Sequence, residues 1–340
     1  MIESWVKENH QQFNFIIKTQ EQTEQLGTAH ALQTVKELLG DEPFLVMNGD
    51  DFFFTDDLKN LINTKTEHAV LLHEVEDPTQ YGIAEIHNGL IKKLVEKPKE
   101  DIGKLANAGA YLFSPSIFDF QPEKSARGEL ELTDMINHQC EKNNVSHTKA
   151  TAWFPVTHPW DLLKVNTFLL SKIKKDIQGT VEEHVVIKGE VIVGKNTIIK
   201  SGVYIEGPVV IGENCKLGPN CFIRPSTSIG DSSVIGHQTE IKNSILFDKV
   251  SMRHLSYICD SVIGEHVNFG AGSVVANLRH DKANIKSMVK EDLVDSGLRK
   301  FGTIIGDNVK LGINTSIYPG RKIWPDKSTL PGESVKKDIQ

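Results

Sequence analysis

The chain has 340 residues, of which 39% are hydrophobic, and its formal net charge is −7. This length suits two domains, and the negative charge argues against nucleic acid or an anionic membrane as the main partner. No apolar run approaches the roughly 20 residues that span a bilayer, and the first residues lack the apolar segment of a secretory signal. We therefore expect a cytoplasmic protein with reduced thiols.

Strand and helix patterns alternate over residues 1–158. The predicted strands are 13–18, Phe44–Met47, 69–75, 83–86, 90–95, 108–113 and 150–154. The predicted helices are 28–39, 57–64 and 132–142. This alternation is typical of an α/β domain with a largely parallel sheet. Apolar spacing then predicts an amphipathic connecting helix within residues 159–180.

From Ile187 to Ile241 an aliphatic residue recurs at every sixth position. The ten positions are Ile187, Val193, Ile199, Ile205, Ile211, Leu217, Ile223, Ile229, Ile235 and Ile241. A period of six fits neither a helix nor a simple strand. It is typical of a coil of short strands in which each hexad forms one face of a prism and points its aliphatic side chain inward. We therefore predict that residues 181–340 form a parallel β-helix.

The repeat loosens after Ile241 and is later interrupted by a polar excursion from Asn277 to Gly302. Before the excursion the period returns at Ile263, Phe269 and Val275, and after it at Ile305, Leu311, Ile317 and Ile323. A loop that leaves a solenoid commonly lies on its functional face. The basic side chains of this loop suit phosphate, although a solvated charged loop is the alternative.

The four cysteines show no metal-ligand spacing. Cys215 and Cys221 occupy equivalent positions of adjacent hexads, which indicates small residues at the corners of the core.

Candidate ligand-binding residues occur early in the first domain. Gln22 precedes Gly27 and Thr28, where a helix is predicted to begin, and glycine there lets the backbone approach a ligand. Asp50 follows an apolar strand, at the edge where open α/β sheets place their ligands. Its carboxylate could hold Mg²⁺ against phosphate oxygens. Roles as helix cap or turn residues are the alternative.

Together with further motifs, these residues resemble the sugar-1-phosphate nucleotidyltransferase family. The other matching motifs are Tyr81-Gly82, Glu96-Lys97-Pro98, Asn107-Ala108-Gly109 and the segment from Arg127 to Asp134. The resemblance implies that Gln22, Gly27 and Thr28 contact the nucleotide base and that Asp50 binds Mg²⁺. It also implies that Gly82, Glu96 and Asn107 hold the sugar. The implied reaction joins UTP or dTTP to a sugar 1-phosphate and releases pyrophosphate.

The chain departs from this family at two places. The glycine-rich phosphate loop that carries Arg and Lys is missing from the start, and Pro155 stands where the family has a second metal-binding aspartate. We therefore expect an incomplete, N-terminally truncated Rossmann-like nucleotidyltransferase domain over residues 1–158, in which nucleotidyl transfer is lost.

Polar side chains interrupt the hexads between Arg253 and Asn277. The imidazole of His254 can take a proton from an amine that attacks a thioester, although a lone histidine in a solenoid is more commonly a surface or packing residue. The segment resembles the acetyltransferase half of bifunctional UDP-N-acetylglucosamine pyrophosphorylase/glucosamine-1-phosphate N-acetyltransferases, most closely the archaeal type. That resemblance implies a left-handed coil, with His254 as general base and Asn277 positioning the amino sugar.

The same resemblance implies further contacts with the substrates. The implied contacts are Arg224 and Lys242 to the sugar phosphate, Tyr257 and Asn268 to the substrates, the backbone at Ala271 to the acetyl group, and Lys286 or Lys282 from the excursion.

The expected activity is therefore acetyl transfer from acetyl-CoA to an amino-sugar 1-phosphate, on the route to UDP-N-acetylhexosamine. The resemblance implies a homotrimer with acetyl-CoA bound between neighbouring coils. Two alternatives remain open. One is nucleotidyl transfer alone, with the coil as an oligomerisation platform, and the other is a non-catalytic binding or regulatory subunit.

Overall fold

The computed structural model describes residues 2–340, which divide into two compact units. The first unit ends at Pro155 and the second spans Val156–Gln340. No helix within residues 2–340 is long and apolar enough to cross a membrane.

The first unit contains a six-stranded sheet flanked by helices. Its strands are β1 Phe44–Met47, β2 Asp51–Phe52, β3 His68–Glu74, β4 Gly82–His87, β5 Leu90–Glu96, β6 Leu105–Phe113, β7 Val145–Lys149 and β8 Phe154–Pro155. Its α-helices are α1 Ile2–Asn9, α2 Thr28–Thr34, α3 Thr55–Ile62 and α4 Leu132–Glu141, and its 3₁₀ helices are His10–Gln12, Lys36–Leu38, Pro78–Gln80 and Pro115–Asp119. The sheet order is β1-β6-β3-β7-β5-β4, and β2 pairs separately with β8.

The sheet is mainly antiparallel, so the prediction of a largely parallel sheet was wrong. Within residues 2–340 the sheet has one parallel pair, β3 with β7, whereas β6 runs antiparallel to both of its neighbours β1 and β3. β4 and β5 form a tight hairpin at Asn88 and Gly89, both of which have positive φ. A short turn can join only antiparallel strands, and an alternation of strands and helices does not reveal which strands pair.

Two predicted strands of this unit are wrong. Residues 13–18 form no strand, and Phe15 and Ile16 are 63% and 86% exposed. Apolar composition alone does not make a strand, because a strand also needs an edge with which to pair. In place of the strand predicted at 150–154, β7 ends just before this segment and β8 begins at its last residue, Phe154. The helix predicted at 28–39 is interrupted after Thr34, where α2 ends, and a 3₁₀ helix follows at Lys36–Leu38.

Alternate side chains of β3 point into different apolar layers. Val70 and Leu72 pack with α2 and α4 on one face of the sheet, whereas Ala69 and Leu71 pack with Leu61 of α3 on the other. This alternation follows from the two-residue period of a strand. The sheet is therefore covered on both faces.

The second unit begins with α5, Asp161–Leu170, and continues as a coil with three faces. Face 1 consists of Asp176–Ile177, Val191–Val193, Val209–Ile211, Thr227–Ile229, Ile245–Leu246, Val262–Ile263, Thr303–Ile305 and Arg321–Ile323. Face 2 consists of Thr180–Val181, Ile198–Ile199, Lys216–Leu217, Val234–His237, Ser251–His254 and Asn268–Phe269. Face 3 consists of Val186–Lys188, Tyr204–Glu206, Phe222–Ile223, Glu240–Lys242, Tyr257–Cys259, Val274–Val275, Ser316–Ile317 and Ser334–Val335.

All strands within each face run parallel, which confirms the predicted parallel β-helix. The hexad residues from Val193 to Ile241 are at most 2% exposed and form one continuous core. Cys215 and Cys221 are free thiols buried in that core, as predicted.

The repeat persists where the sequence pattern loosens. Ile229 pairs with Leu246, 17 residues later, whereas earlier partners such as Ile205 and Ile223 are 18 residues apart. The inward position after Ile241 is therefore reached in five residues instead of six. The shortened step falls at the corner between face 3 and face 1.

The excursion between Asn277 and Gly302 is an ordered structure. It contains a hairpin of Lys286–Val289 with Asp292–Asp295. Its residues Ile285 and Phe301 are at most 1% exposed and pack with Trp160 at the start of α5. Since this loop has its own apolar contacts, it is more than a solvated charged segment.

Candidate functional site

The three residues predicted to contact a nucleotide lie together at the start of α2. The Nε2 of Gln22 donates to the carbonyl oxygen of Gly27 at 3.1 Å. Gly27 has φ +112°, and a Cβ there would lie 2.5 Å from the carbonyl oxygen of Leu130. The Oγ1 of Thr28 accepts the N–H of Leu132 at 3.0 Å. The close contact at Gly27 and the hydrogen bond at Thr28 therefore hold the start of α2 against the start of α4.

The three residues predicted to hold a sugar also lie together. Gly82 pairs with Glu96 across β4 and β5. A Cβ at Gly82 would lie 2.9 Å from Glu96 Oε2 and 3.8 Å from Asn107 Cβ. Asn107 donates from Nδ2 to Tyr111 Oη at 2.8 Å, and burial raises the pKa of Tyr111 to about 12. A side chain at position 82 would displace the carboxylate of Glu96, so glycine allows that carboxylate to lie directly beside the strand.

Asp50 and Asp51, which follow β1, lie in different environments. Asp50 is exposed. Asp51 accepts hydrogen bonds from Trp153 Nε1 at 2.8 Å and Asn48 Nδ2 at 3.0 Å, and burial raises the pKa of its carboxyl group. Sequence reasoning missed this cluster, because Asp51 and Trp153 are 102 residues apart in the chain and only the fold brings them together.

On the coil, His254 lies at the corner between face 2 and face 3. It ends the strand Ser251–His254, and its Cα pairs with that of His237 in the preceding coil. The continuing register places Ala271 at the same corner one coil later, and Asn268 begins the adjacent face 2 strand. His254 and Ala271 therefore share one edge of the prism, whereas Asn268 aligns with Ser251 at the start of face 2, three residues before that edge.

Face 3 carries an outward row of polar side chains beside this corner. Arg224 donates from Nη1 to Glu240 Oε1 at 2.9 Å and lies 5.6 Å from the ring centre of Phe222. Tyr257 pairs with Glu240, and Lys242 with Cys259. Burial raises the pKa of the Tyr257 hydroxyl.

Asn277 lies at the other edge of face 3, where the excursion begins. Its Nδ2 donates to Asp260 Oδ2 at 2.5 Å, and Asn243 Nδ2 donates to Asp260 Oδ1 at 2.6 Å. Asp260 is 3% exposed. Sequence reasoning did not predict this buried carboxylate as a site residue. The available signal was its spacing, because Asp260 lies 17 residues before Asn277 and a coil with one shortened step has 17 residues.

His254 and Asn277 therefore flank face 3 from opposite corners, and no hydrogen bond joins them in the part of the chain that is described. Lys286 lies in the excursion hairpin, where its carbonyl oxygen accepts a hydrogen bond from Arg321 Nη2 at 2.7 Å. Its side chain is exposed, and within residues 2–340 no hydrogen bond or ion pair joins it to His254 or Asn277.

Comparisons with known proteins match both units. A nucleotidyl transferase family model matches residues 3–172, and a model described as the GMPPB C-terminal domain matches residues 205–336. The bifunctional protein GlmU of Methanococcus aeolicus is 43% identical over 97% of this chain and 82% of its own length, and that of Methanocaldococcus jannaschii is 42% identical over 98% and 80%. The bifunctional sugar-1-phosphate nucleotidylyltransferase/acetyltransferase of Sulfurisphaera tokodaii is 39% identical over 92% and 79%. The chain belongs to this bifunctional transferase family.

Membership of the bifunctional transferase family confirms the predicted family, the predicted enzyme class and the predicted fold of an α/β unit followed by a β-helix. The assignment of individual site residues stays a prediction.

The residues around Asp50 fit a Mg²⁺ ion that is bound mainly by nucleotide phosphates and by only one protein carboxylate. Within residues 2–340 no three His, Cys, Asp or Glu side chains converge as a metal site. Mg²⁺ that arrives with nucleotide phosphates is commonly bound through only one or two carboxylates. Asp50 is exposed and would be such a ligand, whereas both oxygens of Asp51 accept hydrogen bonds from Trp153 and Asn48.

Proposed function

We propose that the coil transfers an acetyl group from acetyl-CoA to the amino group of an amino-sugar 1-phosphate. The observation that carries this proposal is the polar strip on face 3, with His254 at one corner, Asn277 at the other and Arg224 with Lys242 between them. A coil that served only as a scaffold would not need polar groups gathered on one strip. Relatives with 39–43% identity carry names that describe a bifunctional or acetyltransferase protein.

In the proposed reaction, the amino nitrogen attacks the thioester carbonyl carbon and forms the new C–N bond. His254 accepts the proton that the amine loses. The C–S bond then breaks, and the thiolate of coenzyme A takes the proton from the imidazolium. The side-chain oxygen of Asn277 accepts an N–H of the amine and so orients it.

The remaining predicted residues hold the two substrates. Arg224 and Lys242 bind the phosphate, because cationic groups form strong charge-assisted hydrogen bonds with its oxygens. Tyr257, Asn268 and Lys286 contribute further contacts, and the backbone at Ala271 meets the acetyl group. The product is an N-acetylated sugar phosphate for UDP-N-acetylhexosamine synthesis.

The proposal includes a homotrimer, with acetyl-CoA bound between neighbouring coils. A prism with flat faces offers a repeated surface for such a symmetric contact. We also propose a cytoplasmic location, because the four cysteines are unpaired and free thiols suit a reducing compartment.

Nucleotidyl transfer by the first unit is the second candidate. The shared location of Gly82, Glu96 and Asn107 favours it, and a nucleotidyl transferase family model covers that unit. Mg²⁺ held by Asp50 would neutralise phosphate charge during attack on UTP or dTTP. Acetyl transfer remains the first proposal because the side-chain amide of Gln22 is already hydrogen-bonded to the carbonyl oxygen of Gly27 and Pro155 offers no side-chain ligand.

Thiol release from acetyl-CoA tests the proposal, with glucosamine 1-phosphate and galactosamine 1-phosphate as acceptors. Pyrophosphate release with UTP or dTTP and Mg²⁺ is measured in parallel. Thiol release that depends on the acceptor supports acetyl transfer, and pyrophosphate release supports the second candidate. If a folded oligomer yields neither product, both enzymatic proposals fail and a binding subunit becomes the better explanation.

A further inference from the structure

Asp260 contacts both ends of the excursion that carries Asn277. Its carboxylate accepts the side-chain N–H of Asn277 at the start of the excursion. Its carbonyl oxygen accepts the N–H of Gly302 at the end, at 2.8 Å. Gly302 packs closely here, since a Cβ would lie 2.2 Å from Ser261 Oγ. Asp260 therefore binds both the start and the end of the excursion.

The side-chain amides of Asn243 and Asn277 both donate to Asp260, but they differ in whether their oxygen atoms accept a hydrogen bond. Asn243 donates from Nδ2 to Asp260 and accepts at Oδ1 from Thr167 Oγ1, at 3.3 Å. Asn277 also donates from Nδ2, but nothing within residues 2–340 donates to its Oδ1. Both the nitrogen and the oxygen of the Asn243 side chain are thus hydrogen-bonded. The Oδ1 of Asn277, in contrast, can still accept a hydrogen bond from another molecule.

An ionised carboxylate accepts hydrogen bonds and cannot donate them. An asparagine that is paired with a carboxylate must therefore present its NH₂ group to it, which fixes the direction of the amide. Its carbonyl oxygen then faces away from the carboxylate. The charge-assisted bond at 2.5 Å holds Asn277 in this orientation.

We propose that Asp260 is a positioning residue, which orients Asn277 so that its Oδ1 accepts an N–H of the amino group of the substrate. This inference rests on the proposed acetyl transfer. The orientation has a chemical consequence, because an acceptor leaves the lone pair of the amine free to attack the thioester. A reversed amide would donate to that lone pair and suppress attack.

Asp260→Asn tests the proposal, because an amide at this position can donate as well as accept and no longer fixes the direction of Asn277. We expect kcat/KM for glucosamine 1-phosphate to fall by up to about 100-fold, as for other misplaced reacting groups, while KM for acetyl-CoA is unchanged. The matched control is Asp326→Asn. Asp326 is also a corner residue with positive φ that accepts an asparagine N–H, from Asn308 at 3.0 Å, and we expect wild-type kinetics.

A double-mutant cycle separates positioning from general damage to the fold. If Asp260 acts through Asn277, Asp260→Asn has no further effect in a chain that already carries Asn277→Ala. Losses that multiply would overturn the proposal, as would equal kinetics of Asp260→Asn and Asp326→Asn. Inactive wild-type protein would overturn the acetyl-transfer proposal itself and this inference with it.

A measurement on the wild-type protein covers the case in which Asp260→Asn does not fold. The side-chain NH₂ of Asn277, assigned in the NMR spectrum by its disappearance in Asn277→Ala, is expected to exchange slowly with solvent before any substrate is added. Exchange as fast as that of an exposed asparagine would contradict the proposal.

Discussion

His254 and His237 are paired partners in neighbouring coils, and both side chains are exposed at the same corner of the prism. Adjacent strands lie about 4.8 Å apart, so the two imidazoles have closely similar surroundings. We expect His254→Ala to lower kcat for acetyl transfer by roughly 10²- to 10⁴-fold, the usual contribution of a general base, and to leave the oligomer intact. His237→Ala is the matched control and should retain activity. Equal losses in the two variants would show that the base is misassigned.

Arg224 shares its outward row on face 3 with Lys188, two coils earlier. Both cations lie over aromatic rings, Arg224 over Phe222 and Lys188 over Tyr204. We expect Arg224→Ala to raise KM for the amino-sugar phosphate at least about tenfold, because a bidentate cation for the phosphate is lost. KM for acetyl-CoA should not change, and Lys188→Ala should behave as wild type in steady-state kinetics. A KM for the sugar phosphate that is unaltered in Arg224→Ala would remove this residue from the site.

Gly27 has no space for a side chain. An alanine at φ +112° would place its Cβ 2.5 Å from the carbonyl oxygen of Leu130, so Gly27→Ala is expected to destabilise the first unit by about 2 kcal/mol or more. Gly40 has no atom within 4 Å of a built Cβ, and Gly40→Ala serves as the control. Urea unfolding followed by tryptophan fluorescence measures both changes. Midpoints shifted equally in the two variants would show that backbone strain at Gly27 is not the cause.

His68 makes the first unit sensitive to acid. Its side chain is fully buried, Nε2 lies 3.1 Å from Ser116 Oγ, and Nδ1 has no partner within residues 2–340. Burial lowers the pKa of His68 from 6.5 to about 4. In the unfolded chain His68 therefore binds a proton below about pH 6.5, whereas in the folded chain it binds one only near pH 4. The resulting stability is complete above pH 6.5 and is lost as the pH falls towards 4.

This loss amounts to at most about 3 kcal/mol. We expect His68→Gln to unfold with a weaker pH dependence than wild type in urea titrations between pH 7.5 and pH 4.5. His147, whose pKa is also lowered by burial, is unchanged in both proteins and cancels from the comparison. Parallel pH profiles would contradict the assignment to His68.

The sequence predicted the coil more accurately than the first unit, and the reason is physical. Every hexad from Ile187 to Ile241 points one side chain to a common axis, so the pattern itself encodes which strands are neighbours. Leu246, Met252 and Ile258 continue that core, but the search for a fixed period missed them because the step after Ile241 is five residues long.

The pairing in the first unit depends on contacts between distant segments. β6 lies between β1 and β3, and no local pattern in the sequence reveals that order. The candidate residues His254 and Asn277 were predictable by resemblance, whereas the carboxylate of Asp260 was not. Its importance appears only when the register aligns it with Asn243 and Asn277.

The two five-residue steps, Ile241 to Leu246 and Ile258 to Ile263, shorten the same corner, while the inward side chains continue to stack. Loss of one residue at a corner changes the outline of the prism at one edge and leaves the stacking of its core intact. Deletion of a single residue can therefore give a solenoid of this kind a notch, meaning a corner with a shortened outline, without new secondary structure. The corner that carries Asn243 and Asp260 is such a notch, so changes in the length of the chain, as well as changes in its side chains, give this enzyme family a way to shape a site.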